Sequence, residues 1–167
     1  FTSDNGSRAR DEGGSNLPCR GTKFETWEGG FRVPCIMRWP KGIKEPGRVC
    51  PHFVEAVDMV PTLLSCAGIP LPRHLQGQPL PLAPDAPATR ESALTEMQGA
   101  RSLHTSCCHY IVRDNGSETL YDLDRPHGQY ENVAGEPAYR ERVAQLRLDM
   151  LQRLLASARH APRTVQY

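Results

Sequence analysis

Residues 23–34 read Lys23-Phe24-Glu25-Thr26-Trp27-Glu28-Gly29-Gly30-Phe31-Arg32-Val33-Pro34. A lysine in a glycine-bounded loop can set an ammonium point charge against an oxyanion. Gly29 and Gly30 permit a close backbone approach. Glu28 and Arg32 can pair and hold such a loop. Taken alone, the run reads more readily as a surface lysine beside a structural turn.

Downstream, residues 31–39 (FRVPCIMRW) are rich in β-branched and aromatic side chains and stop at Pro40. They predict a strand, with Pro34 marking an edge or an entry point. Residues 40–47 (PKGIKEPG) follow as a turn-rich loop. Upstream lies Asp4-Asn5-Gly6. A carboxylate beside a carboxamide offers two hard oxygen ligands, which suit Ca²⁺ or Mg²⁺ better than zinc. Phe1-Thr2-Ser3 reads as a strand running out into a loop, and ligands of open α/β sheets bind beyond the carboxyl ends of strands. By itself, Asp-Asn-Gly is a plain turn.

The composition narrows the function classes. The 167 residues carry 20 Lys+Arg against 19 Asp+Glu, a formal charge of +1, which argues against a nucleic-acid partner. Apolar runs are short: residues 60–67 are interrupted by Pro61 and Ser65, so no span of a bilayer is expected. No apolar leader follows Phe1, and the chain reads as a portion of something longer. The six cysteines (19, 35, 50, 66, 107 and 108) have neither CxxC nor Cys/His metal spacing, and reduced thiols are the preferred reading.

The second half is more regular. A short helix is expected from Asp58, with Asp58 as N-cap, Pro61 in the first turn and Gly68 at the stop. Residues 70–87 are proline-rich and predict a loose connector. Residues 106–113 and 117–123 flank Asp114-Asn115-Gly116, a strong hairpin signal. That second Asp-Asn-Gly string is therefore read as a turn. Tyr139, Val143, Leu146, Met150 and Leu154 recur at helical spacing and predict one amphipathic helix over 137–158.

In order, the motifs resemble the sulfatase family. These are Ser3-Asp4-Asn5-Gly6, then Lys23…Glu28-Gly29-Gly30-Phe31-Arg32-Val33-Pro34. Val57-Asp58-Met59-Val60-Pro61-Thr62-Leu63-Leu64 with Ala67-Gly68 follows, and then Leu120-Tyr121-Asp122-Leu123 with Asn132-Val133-Ala134. The resemblance covers Phe1 to about Ala134. It implies an α/β fold: part of an alkaline-phosphatase-like core, followed by a small C-terminal antiparallel sheet with a packed helix. On that basis 1–69 belongs to the catalytic core, 70–92 to a connector and 93–167 to the C-terminal subdomain.

The resemblance also implies site roles. Asp4 and Asn5 would ligate a divalent cation, usually Ca²⁺, with Mg²⁺ as the second choice, and Lys23 would contact the sulfate. The family's nucleophile is a formylglycine made from Cys or Ser in a Cys/Ser-x-Pro/Ala-x-Arg motif. None of the six cysteines matches it, so the nucleophile-bearing N-terminal half is expected as a partner of this C-terminal portion. The implied function is sulfuric ester hydrolysis of an aryl or carbohydrate sulfate, with the isolated chain inactive. Two alternatives stand beside it: hydrolysis of phosphate or phosphonate esters, and a non-catalytic fragment or binding paralogue. The charged loop at residues 7–20 raises a question about the substrate pocket. Arg101, His104 and Glu96, near the C-terminal sheet, are further candidates for substrate contact, although packing or surface roles suit them better. An exported, periplasmic or lysosomal location follows only by analogy with the family.

Overall fold

The computed structural model describes residues 1–8 and 13–158, so residues 9–12 of the charged loop lie outside the described residues. The chain forms two compact units, neither continuous in sequence. One combines Phe1–Arg38 with Leu94–Val143, and the other combines Trp39–Ala93 with Ala144–Tyr167.

The first unit is built on a sheet with strand order β1-β2-β3-β4 (Ser92–Met97, Ala100–Thr105, Cys108–Arg113 and Glu118–Asp122). The β3–β4 hairpin forms where Asp-Asn-Gly predicts it. Asn115 Oδ1 accepts the Ser117 N–H at 2.9 Å, and Gly116 adopts φ +79°. That side-chain bond closes the turn and supports the turn reading of this second string. The β1–β2 hairpin, turning at Gln98-Gly99, has no counterpart in the sequence reading. Its strands are mostly half-buried and lack a clean period-2 alternation.

Register sets the two faces. Leu103, Tyr110 and Leu120 lie opposite one another across β2, β3 and β4, and all three are fully buried. The neighbouring row is His104, His109 and Tyr121, on the other face because side chains alternate along a strand. Residues 120–134 wrap back on the sheet. Asn132 Oδ1 accepts the Leu120 and Ala134 N–H groups at 2.9 and 3.1 Å, and the Val133 N–H donates to the Leu120 carbonyl at 2.9 Å. The Leu-Tyr-Asp-Leu and Asn-Val-Ala strings are thus parts of one local fold.

The strand expected over 31–39 does not form. Glu28–Phe31 is a single helical turn (α1), and beyond it only Cys35 forms a bridge, antiparallel to Thr2. Phe1 and Ile36 exchange backbone hydrogen bonds at 2.8 Å. Pro34 has no N–H to extend that ladder.

In the second unit, α2 spans Met59–Cys66, preceded by a 3₁₀ turn at Ala56–Asp58. Gly68 at φ +69° ends it as expected. Asp58 stands at the N-cap of α2 as expected, but its side chain makes no bond to the α2 backbone. Its carboxylate instead accepts the Glu55 N–H at 2.9 Å, the Gln78 N–H at 2.8 Å and Arg90 Nε at 2.9 Å, and it pairs with the Arg90 terminal nitrogen. Thr62 Oγ1 accepts the Leu80 N–H at 2.9 Å. Residues 70–91 have no helix or strand, yet these bonds fix them against α2. Arg48 adds bonds to the carbonyls of Leu82 and Ala83.

The C-terminal helix forms as its periodicity predicts, with a 3₁₀ turn at Pro137–Tyr139 and then α3 at Arg140–Ala158. Val143, Leu146 and Met150 are buried, and Leu154 is half-buried. No helix among the described residues is long and apolar enough to cross a membrane.

Candidate functional site

Two loops far apart in sequence meet in the first unit. The Gly6 N–H donates to the Gly30 carbonyl at 2.9 Å, and the Lys23 N–H donates to the Ser7 carbonyl at 3.0 Å. The string bearing Asp4 and Asn5 is therefore bonded at two points to the loop bearing Lys23. This contact needs glycine. A Cβ on Gly6 would stand 1.7 Å from the Gly29 carbonyl oxygen, and one on Gly29 would stand 2.2 Å from the Gly21 carbonyl oxygen. The paired glycines are thus sites of backbone-on-backbone packing. Asn16 adds a clamp, accepting the Ser7 N–H at 2.8 Å and donating to the Ser7 and Gly21 carbonyls at 3.0 and 3.1 Å.

The candidate side chains on this frame are accessible. The Asp4 side chain is exposed, and one carboxylate oxygen lies 3.5 Å from the Ser3 hydroxyl. Asn5 is half-buried, and its backbone carbonyl accepts from Ser3 at 2.9 Å. The donor set suits a hard cation, but two side chains fall short of the six to eight oxygens calcium takes. Among the described residues no cluster of three or more His, Cys, Asp or Glu could hold a metal by itself. Lys23 is half-buried, with Nζ 5.2 Å from the centre of the Phe24 ring.

The expected Glu28–Arg32 pair is present, at 3.2 Å. The sequence reading missed what Glu28 holds on its other side. His104 Nε2 lies 2.8 Å from Glu28 Oε1. This contact, followed by the charges of His104 and Arg32, outweighs burial and lowers the Glu28 carboxyl to about 2. His104, weighed as a substrate contact, thus ties the glycine loop to β2. Arg101 is occupied by Glu96 at 2.7 Å and by the Met97 carbonyl.

Aromatic rings continue the attachment. Trp27 packs edge-on to Tyr121 at 4.8 Å and to His109 at 6.0 Å, and Phe31 lies 5.7 Å from His109. Arg20 stacks over Trp27 at 3.6 Å and donates to the Gln129 carbonyl at 2.9 Å. His109 is 3% exposed, and its Nε2 has no hydrogen-bond partner among the described residues. Burial, reinforced by His104, lowers its pKa to about 3, so it is neutral at ordinary pH. Beside this cluster a cavity of about 390 Å³ is lined by Arg8, Asn16, Arg20, Thr22 and Tyr130, with two guanidinium groups among them.

Known proteins share sequence and fold with this chain. The family model described as "N-sulphoglucosamine sulphohydrolase, C-terminal" matches residues 22–156. The chain belongs to the sulfatase family. This sulfatase chain is 35% identical to human steryl-sulfatase over 119 residues, 66% of the chain and 18% of that protein. It is 31% identical to rat arylsulfatase K over 154 residues, 81% of the chain and 26% of that protein. It therefore spans well under half the length of these relatives. Among solved structures, one protein in complex with its substrate D-glucosamine-2-N,6-O-disulfate superposes with a TM-score of 0.69 at 24% identity, over 83% of this chain and 31% of that one. The phosphonate monoester hydrolase of Agrobacterium radiobacter gives 0.67 at 24% identity, over 84% and 32%. These two likenesses speak for an alkaline-phosphatase-like fold and not for a substrate.

Proposed function

We propose that this chain supplies one side of the active site of a sulfuric ester hydrolase acting on aryl or carbohydrate sulfates. The carrying observation is the pair of backbone bonds, Gly6 to Gly30 and Lys23 to Ser7, that joins two family motifs into one frame. In this reading Asp4 and Asn5 donate oxygens to a divalent cation, for which Ca²⁺ fits the donor chemistry best. Bound there, the cation would supply electrostatic stabilisation of the ester oxygens. Lys23 holds a fixed positive charge toward the sulfate, where negative charge shifts toward the leaving oxygen. Glu28, anchored by Arg32 and His104, keeps the loop from drifting. The formylglycine nucleophile and the remaining cation ligands would come from outside these 167 residues.

The test is the rate of the whole enzyme on matched sulfate and phosphonate esters. Lys23→Ala is expected to lower kcat on the sulfate ester by about 10²–10³-fold, the scale of losing one preorganised charge donor. The folded fraction should be unchanged, because the Lys23 contact that joins the loops is a backbone bond. A faster wild-type rate on the phosphonate ester would favour that chemistry instead. An unchanged rate in Lys23→Ala would remove the residue from the site.

A further inference from the structure

Outside the candidate site, the last residue of the β2–β3 connection and the first residue of β3 carry adjacent thiols. Cys107 Sγ and Cys108 Sγ lie 3.5 Å apart. Adjacency in sequence alone does not set that separation, because two independent χ1 rotors position the sulfurs. Here the turn around them is tied down. Thr105 Oγ1 accepts the Cys108 N–H at 3.0 Å and donates to the Cys108 carbonyl at 3.2 Å. The Cys107 carbonyl accepts the Leu123 N–H at 2.8 Å. Cys107 is half-buried, whereas Cys108 is 4% exposed. Cys107 is therefore the more accessible of the two.

We propose that Cys107 and Cys108 form a preorganised dithiol site that captures a soft, thiophilic trivalent centre of the organoarsenical class. Soft centres select thiol ligands. Two sulfurs bound at about 2.3 Å to one pyramidal trivalent centre, at an angle of about 95–100°, stand about 3.4–3.5 Å apart, close to the separation already present. Direct oxidation of the pair fits less well. Neighbouring Cα atoms are about 3.8 Å apart, below the roughly 4.4 Å where ordinary disulfides begin. Burial, with the adjacent Cys107, raises the Cys108 thiol to about 12, so the first As–S bond is expected at the more accessible Cys107, and Cys108 gives up its proton only as the second bond forms.

With phenylarsine oxide as the probe, two As–S bonds form. The arsenic-bound oxygen leaves as water with the two thiol protons. Arsenic remains trivalent, and no electrons are transferred.

The experiment treats the folded full chain with one equivalent of phenylarsine oxide and maps the adduct by peptide mass spectrometry. The expected result is one phenylarsenic unit bridging Cys107 and Cys108, kept in excess monothiol and released by a dithiol. Cys107→Ser, at the more accessible position, is expected to weaken retention by about 10²-fold, since the second bond is then no longer intramolecular. Cys35→Ser and Cys50→Ser, both at exposed positions, should leave retention unchanged. Adducts spread evenly over the other cysteines would overturn the proposal. So would release by monothiol alone, or full retention in Cys107→Ser with circular dichroism matching the wild type.

Discussion

Arg90→Ala is expected to destabilise the second unit by about 3–5 kcal/mol, the usual cost of leaving one partner of a buried ion pair uncompensated. Asp58 is fully buried. Burial alone would raise its pKa, but the Arg90 guanidinium and the N–H groups of Gln78 and Glu55 outweigh it and keep the carboxyl below its usual range. Arg90 also reaches Glu55 at 3.3 Å, and Glu55 in turn pairs with Arg153 of α3. Removing Arg90 thus leaves buried Asp58 without its cationic partner and takes one of two arginines from Glu55.

A loss of this size is a large part of the 5–15 kcal/mol that a typical domain has. Urea unfolding of the full chain would measure it. The double variant Asp58→Asn with Arg90→Met should lose less than Arg90→Ala, because no charge is left buried. A loss below about 1 kcal/mol for Arg90→Ala would mean that the pair is dispensable.

Acid should weaken the first unit well before its carboxylates titrate. His109 has a folded pKa near 3 against an ordinary 6.5. Between those values the unfolded chain binds a proton that the folded chain refuses, so stability falls as pH drops from about 6.5 toward 3. Glu28 acts in the same direction but lower down: its contribution is present above about 4.5 and is lost as pH falls toward 2. A loss between 6.5 and 4.5 is therefore assigned to His109 rather than to Glu28. Two pH units there correspond to at most about 3 kcal/mol.

The groups facing His109 are His104 and Glu28, Arg20, and the backbone of Thr26. The measurement is the urea midpoint at pH 7 and pH 4.5 for wild type and His109→Phe. Phenylalanine keeps a ring among Trp27, Phe31 and Tyr121 but cannot titrate. The variant should show a much flatter pH dependence than the wild type, whatever its absolute stability. Equal slopes would remove His109 as the acid-sensitive group.

Much of this architecture is legible along the chain because its causes are local. Asn115-Gly116 closes the β3–β4 hairpin through a bond two residues long. The Val143, Leu146 and Met150 spacing builds α3, and Gly68 stops α2. The ordered motifs point to the family, and the family model matches residues 22–156.

What stayed hidden depends on partners that sequence spacing does not announce. Residues 31–39 have strand composition, yet among the described residues only Phe1 and Thr2 pair with them along the backbone. Asp58 has the sequence look of a helix cap, but Arg90, 32 residues on, recruits its carboxylate. His104 and His109 are unremarkable along the chain. They acquire meaning when β2 and β3 bring them to one face beneath Trp27, Phe31 and Glu28. Local turns, the terminal helix and the family are written in short stretches of the chain. Which distant charges pair, which histidine loses its proton and which loops meet follow from the folded chain, because burial and Coulomb energies depend on distances that it alone sets.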